Sequence, residues 1–175
     1  YRCAPDENSE LFEATLGGMG LTGIIVEATL KLRPIETAYI VQKTDRCDNL
    51  STLFDVMQQH ENAPYTVAWI DCTGRSHSLG RGVVFSGHHA APDELGGAQK
   101  TDPLRSPTRR KRIIPFTIPF DLIRYPALKL FNAVYFRANR PGTKLVDYDT
   151  YFYPLDAILE WNRIYGPTGF VQFQC

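Results

Sequence analysis

Leu16-Gly17-Gly18-Met19-Gly20-Leu21-Thr22-Gly23-Ile24-Ile25-Val26 sets four glycines between a helix-like pattern and a strand-like one. Glycine serves where φ must be positive or where a ligand approaches the main chain closely, and successive free N–H groups there suit a phosphate. The stretch reads as a place where backbone meets a bound group. Upstream, Leu11, Phe12, Thr15 and Leu16 share a helical face that Asp6 or Asn8 can cap, and Gly17 falls where a left-handed C-terminal residue is wanted. Downstream, Ile24, Val26, Ala28, Leu30 and Leu32 form one face of an expected strand, with Glu27, Thr29, Lys31 and Arg33 on the other. Ile25 is the odd apolar residue on that polar face. A ligand lying there explains it, and so does an ordinary second packing layer.

Pro34 breaks the strand pattern and the composition restarts, which sets a domain boundary at residues 33–37. A second strand is expected over 37–43. A helix beginning at Asp48 follows, with Leu50, Leu53, Phe54 and Met57 as a core stripe. Strands are expected over 65–71 and 79–86. In the first of these Tyr65, Val67, Trp69 and Asp71 share a face, so aromatic plates and a carboxylate lie together; Trp69 reads either as core or as part of a site.

Residues 90–112 lose all periodicity and read as a long mobile loop ending in Arg105, Arg109, Arg110, Lys111 and Arg112. The run Ile113-Ile114-Pro115-Phe116-Thr117-Ile118-Pro119-Phe120 follows, its prolines excluding a regular helix. Basic residues beside apolar, aromatic sequence suit an anionic membrane surface or a phosphate with a greasy tail, and equally a solvated loop leading into buried structure. Pro126 then opens a helix carrying Leu128, Leu130, Phe131, Val134 and Tyr135. A strand is expected over 144–153, and a helix capped by Asp156 with Ile158, Trp161 and Tyr165 on one side. In a last strand Phe170, Gln172 and Gln174 share a face. Two amides beside an aromatic ring suit sugar hydroxyls, because each amide both donates and accepts; a face turned to solvent is the alternative.

Composition bounds the function classes. The 175 residues are 43% hydrophobic and carry 19 basic against 19 acidic side chains, which argues against general nucleic-acid binding. No apolar run reaches the roughly 18 residues of a spanning helix. Cys3, Cys47, Cys72 and Cys175 have no metal-type spacing and read as buried free thiols, and His60, His77, His88 and His89 form no ligand set, so no metal is expected. Hydrolase and phosphotransferase signatures, Gly-x-Ser-x-Gly and the Walker loop, do not occur. With Tyr1 at one end and an alternating run, 169–175, cut at Cys175, the chain is expected to be an internal piece of a longer protein.

Three groups of motifs then converge. They are Asp6-Glu7-Asn8-Ser9-Glu10-Leu11-Phe12, the glycine stretch, and a tail with Phe152-Tyr153-Pro154-Leu155-Asp156, Glu160-Trp161-Asn162-Arg163, Tyr165-Gly166-Pro167 and Gly169-Phe170-Val171-Gln172-Phe173-Gln174. With Trp69 in Val67-Ala68-Trp69-Ile70-Asp71, they resemble the decaprenylphosphoryl-β-D-ribose 2-oxidases, flavoproteins of the vanillyl-alcohol-oxidase type. The resemblance covers nearly the whole chain and is weakest over 90–126.

It implies an α+β fold: the end of an FAD-binding domain over residues 1–34, then part of an antiparallel-sheet substrate domain with flanking helices over 35–175. It implies noncovalent FAD beside Gly17, Gly18, Gly20, Thr22, Gly23 and Ile25, with Ile25 in direct contact. Trp69, Phe152, Leu155, Trp161, Gln172 and Gln174 match positions around the family's substrate pocket. The family reaction moves a hydride from the ribose 2-carbon of a polyprenyl-phosphate sugar to the flavin, and a partner keto-reductase converts the 2-keto product to the arabinose epimer. The family's pyrophosphate loop and catalytic lysine have no counterpart in this sequence, so no catalytic residue is named and the chain alone is expected to be inactive. The expected setting is cytoplasmic or periplasmic and peripherally membrane-associated, with residues 105–120 at the lipid surface. The run Tyr151-Phe152-Tyr153 and Val67 depart from the family pattern and bear on the exact sugar. Two other readings stand beside this one: an aldonolactone or other sugar oxidase on the same scaffold, and a non-catalytic lipid- or sugar-binding module.

Overall fold

The computed structural model describes residues 1–117 and 125–168, and the chain divides into two units, Tyr1–Pro34 and Ile35–Cys175. In the first unit, α1 spans Ser9–Thr15. Asn8 occupies the cap position in left-handed conformation, but its side chain donates to the Arg2 carbonyl (2.7 Å) instead of capping the helix. Gly17 (φ 69°) turns the chain out of α1, and Gly20 (φ 76°) and Gly23 (φ 135°) turn it twice more. The expected strand at 24–32 does not form. Residues 24–33 pair with no strand among the described residues, and Ile24, Val26, Leu30 and Leu32 all lie exposed. The physical reason is that a strand is stabilised by a neighbour's ladder, and one two-turn helix supplies none.

The second unit is α+β. Strand β1 (Tyr39–Cys47), helix α2 (Leu50–Gln59), β2 (Tyr65–Ile70), β3 (Gly82–His89), the one-turn α3 (Ala98–Thr101), β4 (Arg112–Ile113), α4 (Tyr125–Ala138), β5 (Gly142–Asp147), α5 (Tyr148–Phe152) and β6 (Ile158–Leu159) follow in order. β2, β3, β1 and β5 form an antiparallel sheet in that order, with Tyr65 opposite Gly87, Ile40 opposite His89 and Tyr39 opposite Asp147.

Side-chain alternation gives the sheet two faces. On the first, α2 packs through Leu53 against Cys47 and Val84, with Val56, Met57 and Ala68 around them; Tyr39, Ala90 and Leu95 form a second cluster with Val41 and Leu145. Gly82 has to be glycine, because a Cβ there would lie 2.5 Å from Leu53 Cδ1 and 2.6 Å from the Trp69 carbonyl oxygen. The second face carries Tyr65, Val67 and Trp69 from β2, Val83, Phe85 and His89 from β3, and Ile40, Gln42, Thr44 and Arg46 from β1. Rings from α4 and α5 touch this face at opposite ends of β2.

Several boundaries differ from the sequence expectation. Asn49, not Asp48, caps α2, its Oδ1 accepting from the Thr52 N–H at 2.9 Å. β3 starts at Gly82 because a tight turn, closed by Arg81 N–H to the Ser78 carbonyl (3.1 Å), occupies the preceding residues. The strand expected over 144–153 stops at Asp147, whose carboxylate accepts from both the N–H (2.9 Å) and the hydroxyl (2.6 Å) of Thr150 and so starts α5. The helix expected from Asp156 is a 3-10 turn (Pro154–Ala157), then β6 in parallel pairing with β4, then 3-10 structure over Trp161–Thr168 broken at Gly166 (φ 66°). Residues 90–112 are anchored at several points. Ala38 N–H donates to the Pro103 carbonyl (2.7 Å), the Tyr39 hydroxyl to the Arg105 carbonyl (3.0 Å), and Arg109 to the Asp149 carboxylate and the Tyr153 carbonyl.

Candidate functional site

The glycine stretch forms three linked turns within the first unit. Gly18 N–H donates to Thr15, Leu21 N–H to Gly18 and Gly23 N–H to Gly20, so the run of free N–H groups expected of a phosphate cradle is interrupted by turn bonds. Thr15 donates its hydroxyl hydrogen to the Leu11 carbonyl (2.6 Å), which leaves Thr22 as the donor to Thr15 (3.0 Å) and ties the turns back to α1. A Cβ at Gly17, Gly20 or Gly23 would meet nothing within 4 Å, whereas at Gly18 it would collide with the Ala14 carbonyl. Gly18 is therefore a packing glycine, and the other three leave open space beside the backbone. Ile25 is 66% exposed. The stretch presents an open wall rather than a cradle.

In the second unit, β2 builds an aromatic face. Trp69 is half-buried on the Tyr135 ring of α4 (4.6 Å between centroids), and Tyr135 stacks on Phe131 at 6.2 Å. Burial pushes the Tyr135 phenol up, with Asn139 partly opposing it. Phe152, from α5, stands edge-on to Tyr65 at 4.9 Å and to Tyr151 at 5.0 Å. His89 stands edge-on to Tyr65 at 5.7 Å and donates from Nδ1 to the Thr37 carbonyl (2.8 Å). The Tyr151 hydroxyl lies 3.2 Å from the Tyr65 and Phe85 carbonyls, and its pKa is pushed up to about 12 by burial, with Tyr65 adding to it. Tyr65 and Trp69 are four residues apart on one strand, about 13 Å at 3.3 Å per residue. Half-exposed Val67 lies between them.

The structure thus brings Trp69 and Phe152 to the two ends of one sheet face. Leu155 lies half-exposed in the turn after α5, and Trp161 stands edge-on to Tyr165 (5.8 Å) after β6. Gln172 and Gln174 lie outside the described residues. Gly17, Gly18, Gly20, Thr22, Gly23 and Ile25 all belong to the first unit.

Sequence reading placed Asp71 beside Trp69 but missed what it does. It is fully buried: Oδ1 accepts from Thr73 N–H (2.9 Å), the Thr73 hydroxyl (2.6 Å) and Asn132 Nδ2 (2.7 Å), while Oδ2 accepts from Arg81. Burial alone would raise its pKa, but the hydrogen bonds from Thr73, Arg81 and Asn132 outweigh it and hold the carboxyl at about 2. Arg46 and Arg81 both lie over the Phe136 ring, at 5.3 and 4.9 Å, so β1 and the residue before β3 both meet α4 at this ring. The available signal was a carboxylate closing an apolar strand, followed by Thr73 at the spacing of an Asx turn. On the opposite sheet face, burial, then Asp45 and Asp48, push the Cys47 thiol up. Among the described residues no group of three or more His, Cys, Asp or Glu side chains could hold a metal, and no helix is long and apolar enough to cross a membrane.

No family model matches the chain. It is 33% identical over 170 residues, 95% of its length, to a protein of Mycolicibacterium smegmatis named decaprenylphosphoryl-β-D-ribose oxidase, and spans 37% of that protein. It is 36% identical over 152 residues, 79% of its length, to a Streptomyces coelicolor protein described only as uncharacterised and lying in the mprA 5′ region, of which it spans 41%. The chain therefore covers well under half of either curated relative. Along 95% of its residues the chain is thus similar to a protein that bears the decaprenylphosphoryl-β-D-ribose oxidase name, the family that its glycine stretch, Trp69 and tail motifs resemble.

Proposed function

We propose that the protein containing this chain is an FAD-dependent oxidase of a polyprenyl-phosphate ribose, converting the ribose 2-hydroxyl to a ketone. The observation that carries the reading is the aromatic face of β2, with Trp69 on Tyr135 at one end and Phe152 on Tyr65 at the other, in a chain whose smegmatis relative bears that oxidase name. Broad ring faces suit the apolar face of a sugar and exclude water from the space above them.

The first unit fits one wall of a flavin site. Gly17, Gly20 and Gly23 leave room for a flat group against the backbone, and Ile25 supplies an apolar contact. Because Gly18, Leu21 and Gly23 spend their N–H groups on turns, pyrophosphate capture falls to residues outside this stretch. Noncovalently bound FAD would supply a hydride acceptor. This chain's part is to hold the sugar: Trp69 and Phe152 confine it, and Leu155, Trp161, Gln172 and Gln174 are further contacts by their match to the family's pocket positions, so that the reacting carbon is positioned and solvent kept out. The 2-keto product would pass to a partner keto-reductase for arabinose-donor synthesis. Arg110, Lys111 and Arg112, exposed beside Ile113 and Phe116, would meet an anionic lipid surface on which such a substrate resides.

The test is anaerobic mixing of the intact, flavin-loaded protein with polyprenyl-phosphate ribose. The flavin absorbance should bleach with this substrate, and Trp69→Ala should cut the rate of bleaching at least tenfold. Bleaching by a soluble aldonolactone instead would move the protein to the other sugar oxidases. A colourless intact protein would make it a binding module.

A further inference from the structure

A cavity of about 210 Å³ opens where the 71–81 connection between β2 and β3 faces α4. Asp71, Thr73, Arg75, Ser78, Arg81 and Lys129 line it. That volume is the share of roughly seven waters at about 30 Å³ each, room for a phosphate with part of its ester group. Gly74 keeps the turn tight, since a Cβ there would collide with the Ser78 carbonyl.

The charges in this cavity do not cancel. Among the described residues Asp71 is the only carboxylate in the lining, and the hydrogen bonds it accepts include one from Arg81, which balances its charge. Arg75 and Lys129 remain as two surplus cations, both exposed. The hydroxyls are already committed as donors: Thr73 donates to Asp71, and Ser78 to the Arg75 carbonyl at 3.0 Å. In addition, Arg81 Nε is buried with no hydrogen-bond partner among the described residues. That N–H is sealed from the cavity, so an anion there meets Arg81 through the charge of its guanidinium rather than at Nε. A guanidinium fork and an ammonium around a small cavity match a phosphate in charge and geometry.

We infer that this cavity is a phosphate-binding site in which Arg75 and Lys129 hold the anion and Arg81, fixed by Asp71, forms its inner wall. The site borders the aromatic face: Asp71 is two residues beyond Trp69, and Lys129 lies on the helix that carries Tyr135. Two sources of the phosphate share this chemistry, the phosphate of a lipid-linked sugar held on that face, as the proposed function would have it, and a free phosphate ester.

Calorimetric titration of the intact protein with inorganic phosphate, at constant ionic strength with chloride as control, reads the site directly and does not depend on turnover. Binding to the wild type and its weakening by about tenfold or more in Arg75→Ala/Lys129→Ala are expected, with Lys129→Arg retaining affinity. Both positions are exposed, and an unchanged circular dichroism spectrum checks that the variant folds. If the lipid-linked sugar supplies the group, phosphate competes with polyprenyl-phosphate ribose and the double variant raises its KM; if a free ester does, KM stays put while phosphate affinity falls. Absence of phosphate binding to the wild type, or equal binding by the double variant, overturns the inference and leaves the oxidase reading untouched.

Discussion

Asp71 shows how one side chain fixes the geometry of the aromatic face. Its carboxylate ties the end of β2 to Arg81 before β3 and to Asn132 on α4, so the helix that carries Tyr135 is set against the strand that carries Trp69. Removing one partner of a buried ion pair leaves the other uncompensated, so Asp71→Ala should destabilise this unit by about 3–5 kcal/mol. The acid dependence follows from the depressed pKa. The unfolded carboxyl takes up its proton near pH 3.8 and the folded one near 2, so the stabilisation is fully present above pH 4 and lost as pH falls from about 4 to 2. At 1.36 kcal/mol per pKa unit it amounts to about 2 kcal/mol. Urea transitions followed by tryptophan fluorescence should show the midpoint falling across that window in the wild type and less steeply in Asp71→Asn. Equal slopes would mean that other carboxylates carry the acid response.

At the scale of elements, what was legible in the sequence is what local chemistry decides alone. The alternation of Tyr65, Val67 and Trp69 and the stripe of Leu50, Leu53, Phe54 and Met57 produced β2 and α2 at nearly the expected positions, although Phe54, expected in the core, is exposed. β5 and α5 were misread because Tyr148, Tyr151 and Tyr153 extend a strand-like aromatic pattern, while the stop signal, Asp147 capping onto Thr150, lacks the Glu that makes a capping box conspicuous. β6 could not be read at all, since two residues become a strand only through pairing with β4, some 45 positions away in sequence. The same long-range ties sort the basic run. Arg109 is spent on Asp149 and Tyr153, so deleting the whole segment would disturb α5 and Phe152. Arg110, Lys111 and Arg112 are exposed and can be changed without breaking those bonds. Arg110→Glu/Lys111→Glu/Arg112→Glu in the intact protein should therefore lower sedimentation with anionic vesicles severalfold while leaving the flavin spectrum intact. Unchanged sedimentation would remove the segment's role at lipid.

For the molecule as a whole, the first unit shows how far a glycine-rich stretch can be read. The turns at Gly17, Gly20 and Gly23 formed as their residue type demands, because positive φ is a local property. The strand after them did not, although its alternation is as regular as that of β2, because β2 has β3 beside it and residues 24–33 have no neighbouring strand among the described residues. Ile24, Val26, Leu30 and Leu32, from 77 to 94% exposed, are core residues without a core. This bears on cofactor retention. A tight site buries about 70–90% of a ligand of this kind, and the first unit offers an open wall in which the N–H groups of Gly18, Leu21 and Gly23 are already spent on turns. The 175-residue chain should consequently elute colourless from desalting after incubation with excess FAD, whereas the intact protein keeps its flavin absorbance through the same column. A yellow 175-residue chain would show that the wall closes on the cofactor by itself, and the exposed apolar face of residues 24–33 would then be the surface it buries.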